Sequence, residues 1–163
     1  MTPLREILRS AAARDSFVGY FDQHCMQKTS ETRVRVRYKE TDQMGIAHHG
    51  NYIVWFEVAR TDLCRDAGFS YREIEQRGLI LVVTEIGCSY RAPFRYDDTV
   101  VIETGISRAA SRSLTFSYRM SRETGERCAE GFSRHIWLDE KSRSPILAPR
   151  DVMEMFQPYI SGV

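Results

Sequence analysis

The sequence predicts an α+β domain in which one long apolar helix is wrapped by a five-stranded antiparallel sheet. Three observations predict it. Residues 32–38 alternate strictly, with Val34, Val36 and Tyr38 on one side and Arg33, Arg35 and Arg37 on the other, the period of a half-buried strand. Residues 51–66 carry Tyr52, Ile53, Val54, Trp55, Phe56, Val58, Ala59 and Leu63, which is more than one stripe, so the first turns of this helix need cover on most sides. From Leu79 onward the chain is rich in β-branched residues and is cut by turn residues into further strands long enough to curve round such a helix.

Residues 1–29 read as an N-terminal extension. Leu4, Ile7, Leu8 and Ala11 have helical spacing, which predicts a short amphipathic helix. Glu6, Asp15 and Asp22 argue against a transit peptide, and the apolar core of a signal peptide is missing. The extension is expected to pack on the domain or a neighbouring subunit, so its deletion should weaken assembly more than chemistry. Residues 30–163 form one domain. The strand at 32–38 leads into a loop, 39–50, and then the helix at 51–66, with Gly50 or Asn51 as N-cap and Gly68 as terminator. A second short helix is expected over 70–77.

Strands follow at 79–90, 99–107, 113–121 and 127–139. Leu114, Phe116, Tyr118 and Met120 share one face of the third of these. Arg91-Ala92-Pro93 and Tyr96-Asp97-Asp98 punctuate the first gap, and residues 122–126 form a hairpin turn with Gly125 where positive φ is wanted. A terminal helix near 150–157 starts close to Pro149.

Composition narrows the function. A chain of 163 residues with 42% hydrophobic and 28% charged residues is an ordinary globular domain. A net charge of +1 predicts no nucleic-acid or membrane partner, and no apolar run approaches the ~20 residues that span a bilayer. The four cysteines, Cys25, Cys64, Cys88 and Cys128, are widely spaced. That argues against a zinc site and a disulfide framework, and points to a reducing compartment, the cytoplasm.

The most informative stretch is residues 42–60, where a polar loop with a carboxylate, two histidines and two glycines runs into the apolar helix. A helix start leaves backbone N–H groups unpaired and carries partial positive charge. A carboxylate beside it, with an apolar wall behind, suits hydrolysis of an activated acyl group. Taken alone, Asp42 could equally cap its own turn, as aspartate in a Thr-Asp-x-x-Gly loop does. His49 could be a loop histidine without a task, and Asn51 a helix cap. No G-x-S-x-G elbow, phosphate loop or dinucleotide fingerprint is present.

The motif Y-x-E-T-D-x-M-G-I-A-H-H-G-N-Y-x-x-W-F-E-x-A-R over residues 38–60 resembles the hot-dog-fold acyl-CoA thioesterases of the 4-hydroxybenzoyl-CoA thioesterase type, which include the small thioesterase associated with Tol-Pal operons. Residues 90–98, Y-R-A-P-F-R-Y-D-D, resemble that family's second recurring segment, and the likeness covers residues 30–157. It implies a small-molecule acyl-CoA substrate, no cofactor beyond the coenzyme A carried by that substrate, and homodimers or homotetramers with active sites at the dimer interface. It implies that Asp42 is the nucleophile or general base and that the His49 backbone N–H polarises the thioester carbonyl.

Gly50, Asn51, Tyr52 and Trp55 continue the motif and are expected to shape the substrate site. Arg91, Arg95, Arg108 and Arg112 are candidates for the phosphates of coenzyme A. A second hot-dog branch places its catalytic carboxylate on the central helix, which makes Glu57 the rival to Asp42. Arg60, three residues on, is an available ion-pair partner for it. His48 and His49 lack a third spaced ligand, so no metal is expected. Two other readings stay open at this stage: hydrolysis of acyl-carrier-protein thioesters, and binding of acyl-CoA without hydrolysis.

Overall fold

The computed structural model describes residues 28–161. The helix expected near residues 4–11 lies outside that range. Along the chain run β1 (Ser30–Arg35), α1 (His49–Asp66), α2 (Tyr71–Gln76), β2 (Leu79–Tyr90), β3 (Thr99–Ala110), β4 (Ser113–Arg122), β5 (Arg127–Asp139) and α3 (Arg150–Phe156). The strands form one sheet in the order β1-β3-β4-β5-β2, antiparallel throughout. This is the expected architecture of a helix against a five-stranded antiparallel sheet.

One face of α1 makes the core. Trp55, Phe56, Ala59 and Leu63 are buried with Leu114, Phe116, Tyr118 and Met120 of β4 and Trp137 of β5. The period-2 pattern of β4 and the 3.6-residue pattern of α1 meet at this layer. The far end of α1 is tied to the edge strand: the Ser30 hydroxyl donates to Asp66 at 2.6 Å and the Thr32 hydroxyl to Asp62 at 3.0 Å. Gly68, at φ +104°, ends the helix as expected.

Four expectations need correction. The first strand stops at Arg35, and Tyr38–Glu40 turn into a 3-10 helix. The cause is Glu40, whose carboxylate accepts the Arg37 backbone N–H at 2.8 Å and the Arg37 guanidinium at 2.6 Å, curling the chain. Tyr38 therefore leaves the inward row and is 79% exposed. The long helix begins at His49 with His48 as N-cap, because the His48 Nδ1 accepts the Gly50 N–H at 3.2 Å. The strand expected to stop at Ser107 runs to Ala110, because an irregularity between Ile106 and Arg108 resets its register. Finally, Val54 and Val58 of α1 are 50% and 41% exposed, so the described residues leave one side of the helix open.

Cys64 and Cys128 are buried and Cys88 is half-buried, all three as free thiols. Among the described residues no helix is long and apolar enough to cross a membrane.

Candidate active site

Glu40 organises the loop that carries Asp42. Its side chain is 2% exposed and also accepts the Trp55 Nε1–H at 3.3 Å. Burial works to raise its pKa, but the bonds from the Arg37 side chain and backbone and from Trp55 outweigh it, and the carboxyl sits below its ordinary value. The Glu40 carbonyl accepts the His48 N–H at 2.8 Å and the Asn51 Nδ2–H at 2.7 Å. One residue thus clamps the loop to the first turn of α1. Between those ends the chain closes on itself through the Thr41–Ala47 bridge and the Asp42 N–H to Ile46 carbonyl bond of 2.9 Å. Gly45, at φ +71°, makes the reversal and returns its N–H to the Asp42 carbonyl at 2.9 Å.

Asp42 stands half-exposed on this loop. Its Oδ1 accepts the Met44 N–H at 2.8 Å, so it does cap its own turn. The second carboxylate oxygen has no partner among the described residues. Turn-capping and chemistry are therefore compatible here, since one oxygen fixes the carboxylate while the other stays available.

Among the described residues the start of α1 leaves the His49 backbone donor open. The Gly50 N–H goes to the His48 ring and the Asn51 N–H to the His48 carbonyl at 2.9 Å. The His49 N–H has no acceptor among the described residues. Tyr90 of β2 donates its hydroxyl to the His49 carbonyl at 3.2 Å and packs edge-on against Tyr52, with ring centroids 4.9 Å apart, which ties the first turn of α1 to the strand. Gly50 leaves room for the His48 ring, since a Cβ there would stand 3.3 Å from Nδ1. The His49 imidazole is exposed and packs against the His48 ring at 4.1 Å; it makes no hydrogen bond to Asp42.

The remaining candidates divide. Asn51 anchors the loop through Glu40 and is not the helix cap. Tyr52 and Trp55 are core residues, 2% and 1% exposed, with the Tyr52 hydroxyl near the Phe94 N–H at 3.4 Å. Arg91 and Arg95 lie in the loop after β2, which the Ala47 N–H to Phe94 carbonyl bond of 2.8 Å joins to the site. Arg91 is paired with the buried Glu130, whereas the Arg95 guanidinium has no partner among the described residues. Arg108 and Arg112 lie at the β3–β4 hairpin, nine residues of strand or about 30 Å from Thr99, so within one chain they are remote from the helix start.

The expected Glu57–Arg60 ion pair does not form. Glu57 is exposed, and Arg60 turns to the sheet, where its Nη1 meets the His135 Nε2 at 3.2 Å. A spacing of three residues allows such a pair but cannot compel it when a buried acceptor competes. Reading the sequence also passed over Glu40, Tyr90 and His135 as individuals. Glu40 and Tyr90 lie inside the two quoted motifs, which was the available signal; His135 carries none. Among the described residues no three His, Cys, Asp or Glu side chains gather as a metal site needs.

Comparison with known proteins adds the family. Residues 36–156 match the profile of the Thioesterase-like superfamily. The chain is 40% identical over 117 residues to YneP of Bacillus subtilis, named as a candidate acyl-CoA thioesterase, an alignment covering 72% of this chain and 85% of that protein. It is 29% identical over 124 residues to the acyl-CoA thioester hydrolase YbgC of Escherichia coli O157:H7, covering 76% of this chain and 92% of that one. Among solved structures, the DHNA-CoA thioesterase of Staphylococcus aureus superimposes with a TM-score of 0.75 at 34% identity, over 80% of this chain and 88% of that one.

Proposed function

This chain belongs to the Thioesterase-like superfamily, with its hot-dog fold, and we propose that it hydrolyses acyl-CoA thioesters to a free carboxylic acid and CoA-SH. The observation that carries this reading is the unanswered His49 N–H at the start of α1, clamped through Glu40 to the loop that presents the Asp42 carboxylate. The likeness to YneP, YbgC and the staphylococcal enzyme supports the acyl-CoA class.

In this mechanism the thioester carbonyl oxygen accepts the His49 N–H, which is already oriented and supported by the helix dipole. The free oxygen of Asp42 either takes a proton from an attacking water or attacks the carbonyl carbon to give an acyl anhydride that water then opens. Both routes consume one water, break the C–S bond and return a proton to the CoA thiolate. No metal or redox group is needed for either. The Arg95 guanidinium, near the site and unpaired among the described residues, is suited to a CoA phosphate.

The active form is a homodimer, or a tetramer built of two such dimers, in which a second copy pairs along β2. Among the described residues that strand has a neighbour on one side only, and its Val83, Ile86 and Tyr90 are 43%, 39% and 50% exposed. Such a pairing would bring the Arg108 and Arg112 of one copy to the site of the other only if the far hairpin reaches across. The test is thiol release over a panel of alkyl and aryl acyl-CoAs; absence of release from every member would remove the proposal.

A further inference from the structure

The unusual feature outside the site is a half-buried cation with no counter-charge among the described residues. Arg60 is half-buried on α1, and no described carboxylate pairs with it. It meets His135 of β5, a fully buried residue, and the contact continues inward: His135 Nε2 to the Ser133 hydroxyl at 2.8 Å, then Ser133 to the Tyr118 hydroxyl at 2.7 Å. Arginine can only donate, so the His135 Nε2 is the acceptor and its proton resides on Nδ1. That Nδ1 is buried and has no partner among the described residues. Burial first, and the Arg60 charge second, push the His135 pKa down to about 3. The cluster therefore carries the single positive charge of Arg60. Its partners use few of the five guanidinium donors, and none supplies an anion.

The position of this cation relates it to the site. Ile53, Glu57, Arg60 and Cys64 follow one another at i, i+4, i+7 and i+11 and so share one side of α1. The Arg60–His135 contact shows that this side faces β5 and its neighbour β2. On β2 the register places Val83, Ile86 and Tyr90 opposite His135, Ser133 and Ala129, on the face turned to the helix. All three are exposed along the free edge, and Tyr90 reaches the His49 carbonyl. A row of apolar side chains thus leads from the helix start to Arg60. Eleven residues of α1 separate His49 from Arg60, about 16 Å of helix, the scale of a medium-length extended acyl chain.

We propose that Arg60 is a specificity-determining residue which binds a carboxylate at the far end of an acyl chain lying along α1, so that the preferred substrates are thioesters of dicarboxylic acids. This rests on the thioesterase reading above. An ω-carboxylate would supply the missing anion and a bidentate match for the guanidinium. Glu57, exposed on the same side and three residues before Arg60, would repel such a chain if it swung inward.

The experiment compares thiol release from two acyl-CoAs of equal chain length, one ending in a methyl group and one in a carboxylate, with the full chain and its Arg60→Met and Arg60→Lys variants. The wild-type chain should favour the carboxylate-ended ester by about tenfold or more in kcat/KM, the scale of a charge-assisted bond, with the gain mainly in KM. Arg60→Met should bring the ratio near one, and Arg60→Lys should restore part of it. A wild-type ratio of one or less overturns the inference whatever the variants do, and leaves the hydrolase reading standing. A ratio that survives in a folded Arg60→Met chain overturns it too. No release from either ester removes both.

Discussion

Phe56 of α1 lies flat on Tyr118 of β4, with ring centroids 4.2 Å apart and planes 10° from parallel. The stack is possible because the residue opposite Tyr118 on β5 is Gly131. A Cβ at Gly131 would stand 2.3 Å from the Phe56 ring and 2.5 Å from the Gly87 carbonyl oxygen. The helix approaches the sheet at this point as closely as a missing side chain permits.

Gly131→Ala should therefore destabilise the chain by about 1–3 kcal/mol or more, since both a packed ring and a strand backbone would have to move. The expected result is a lower urea midpoint with an unchanged denaturant slope. A midpoint equal to wild type would mean that α1 can lift off the sheet at little cost.

Asp42→Asn separates the two duties of this side chain. The asparagine Oδ1 still accepts the Met44 N–H, so the turn and the fold should survive. The charge is lost, and kcat should fall by about a hundredfold or more. Glu57→Gln should change turnover little, because Glu57 is exposed and outside the clamp. Full activity in Asp42→Asn would transfer the chemistry to another group.

Glu40→Gln tests the clamp. The backbone bonds of residue 40 to His48 and Asn51 would remain, but the charge-assisted bond with Arg37 would be lost inside a buried site. Thermal unfolding should report a loss on the order of 1–2 kcal/mol. Turnover should fall more than stability predicts, since the loop position of Asp42 depends on this residue. Equal thermal midpoints for the two proteins would remove Glu40 from that role.

His135 makes stability depend on acid. In the folded chain it stays neutral down to about 3, whereas an exposed histidine protonates near 6.5. Between those values the unfolded chain binds the extra proton, so this contribution is complete above 6.5 and is lost as pH falls toward 3. His135→Gln should flatten the fall in unfolding free energy over that window relative to wild type. Parallel pH profiles for the two proteins would contradict it.

Much of the fold was legible because its signals are local. The alternation in β4 and the apolar residues of α1 define one buried face each, and both faces met in the core. Tyr38 broke the pattern of its strand because Glu40, two residues on, won the Arg37 backbone for a turn. Val54 and Val58 are as apolar as their buried neighbours yet stand exposed, because hydrophobicity alone does not fix which side of a helix meets the sheet.

The candidate site was legible to the same depth. Asp42, His49 and Asn51 lie within ten residues, so one loop and one helix turn suffice to gather them. The cap lies two or three residues before Gly50 and Asn51 because the His48 ring, a less common cap than asparagine, takes the Gly50 N–H.

Periodicity and the loop motif thus determined by themselves the α+β architecture and the set of residues around Asp42. Only the tertiary structure decided that the His49 amide is the donor left unpaired among the described residues, that Arg60 turns from Glu57 to His135, and that Arg91 and Arg95 share an end of the sheet from which Arg108 and Arg112 are absent. The physical reason is the same in each case. A local sequence pattern sets which partners are within reach, but the choice among them rests on strand register and burial, and those bring together residues as distant along the chain as Arg60 and His135.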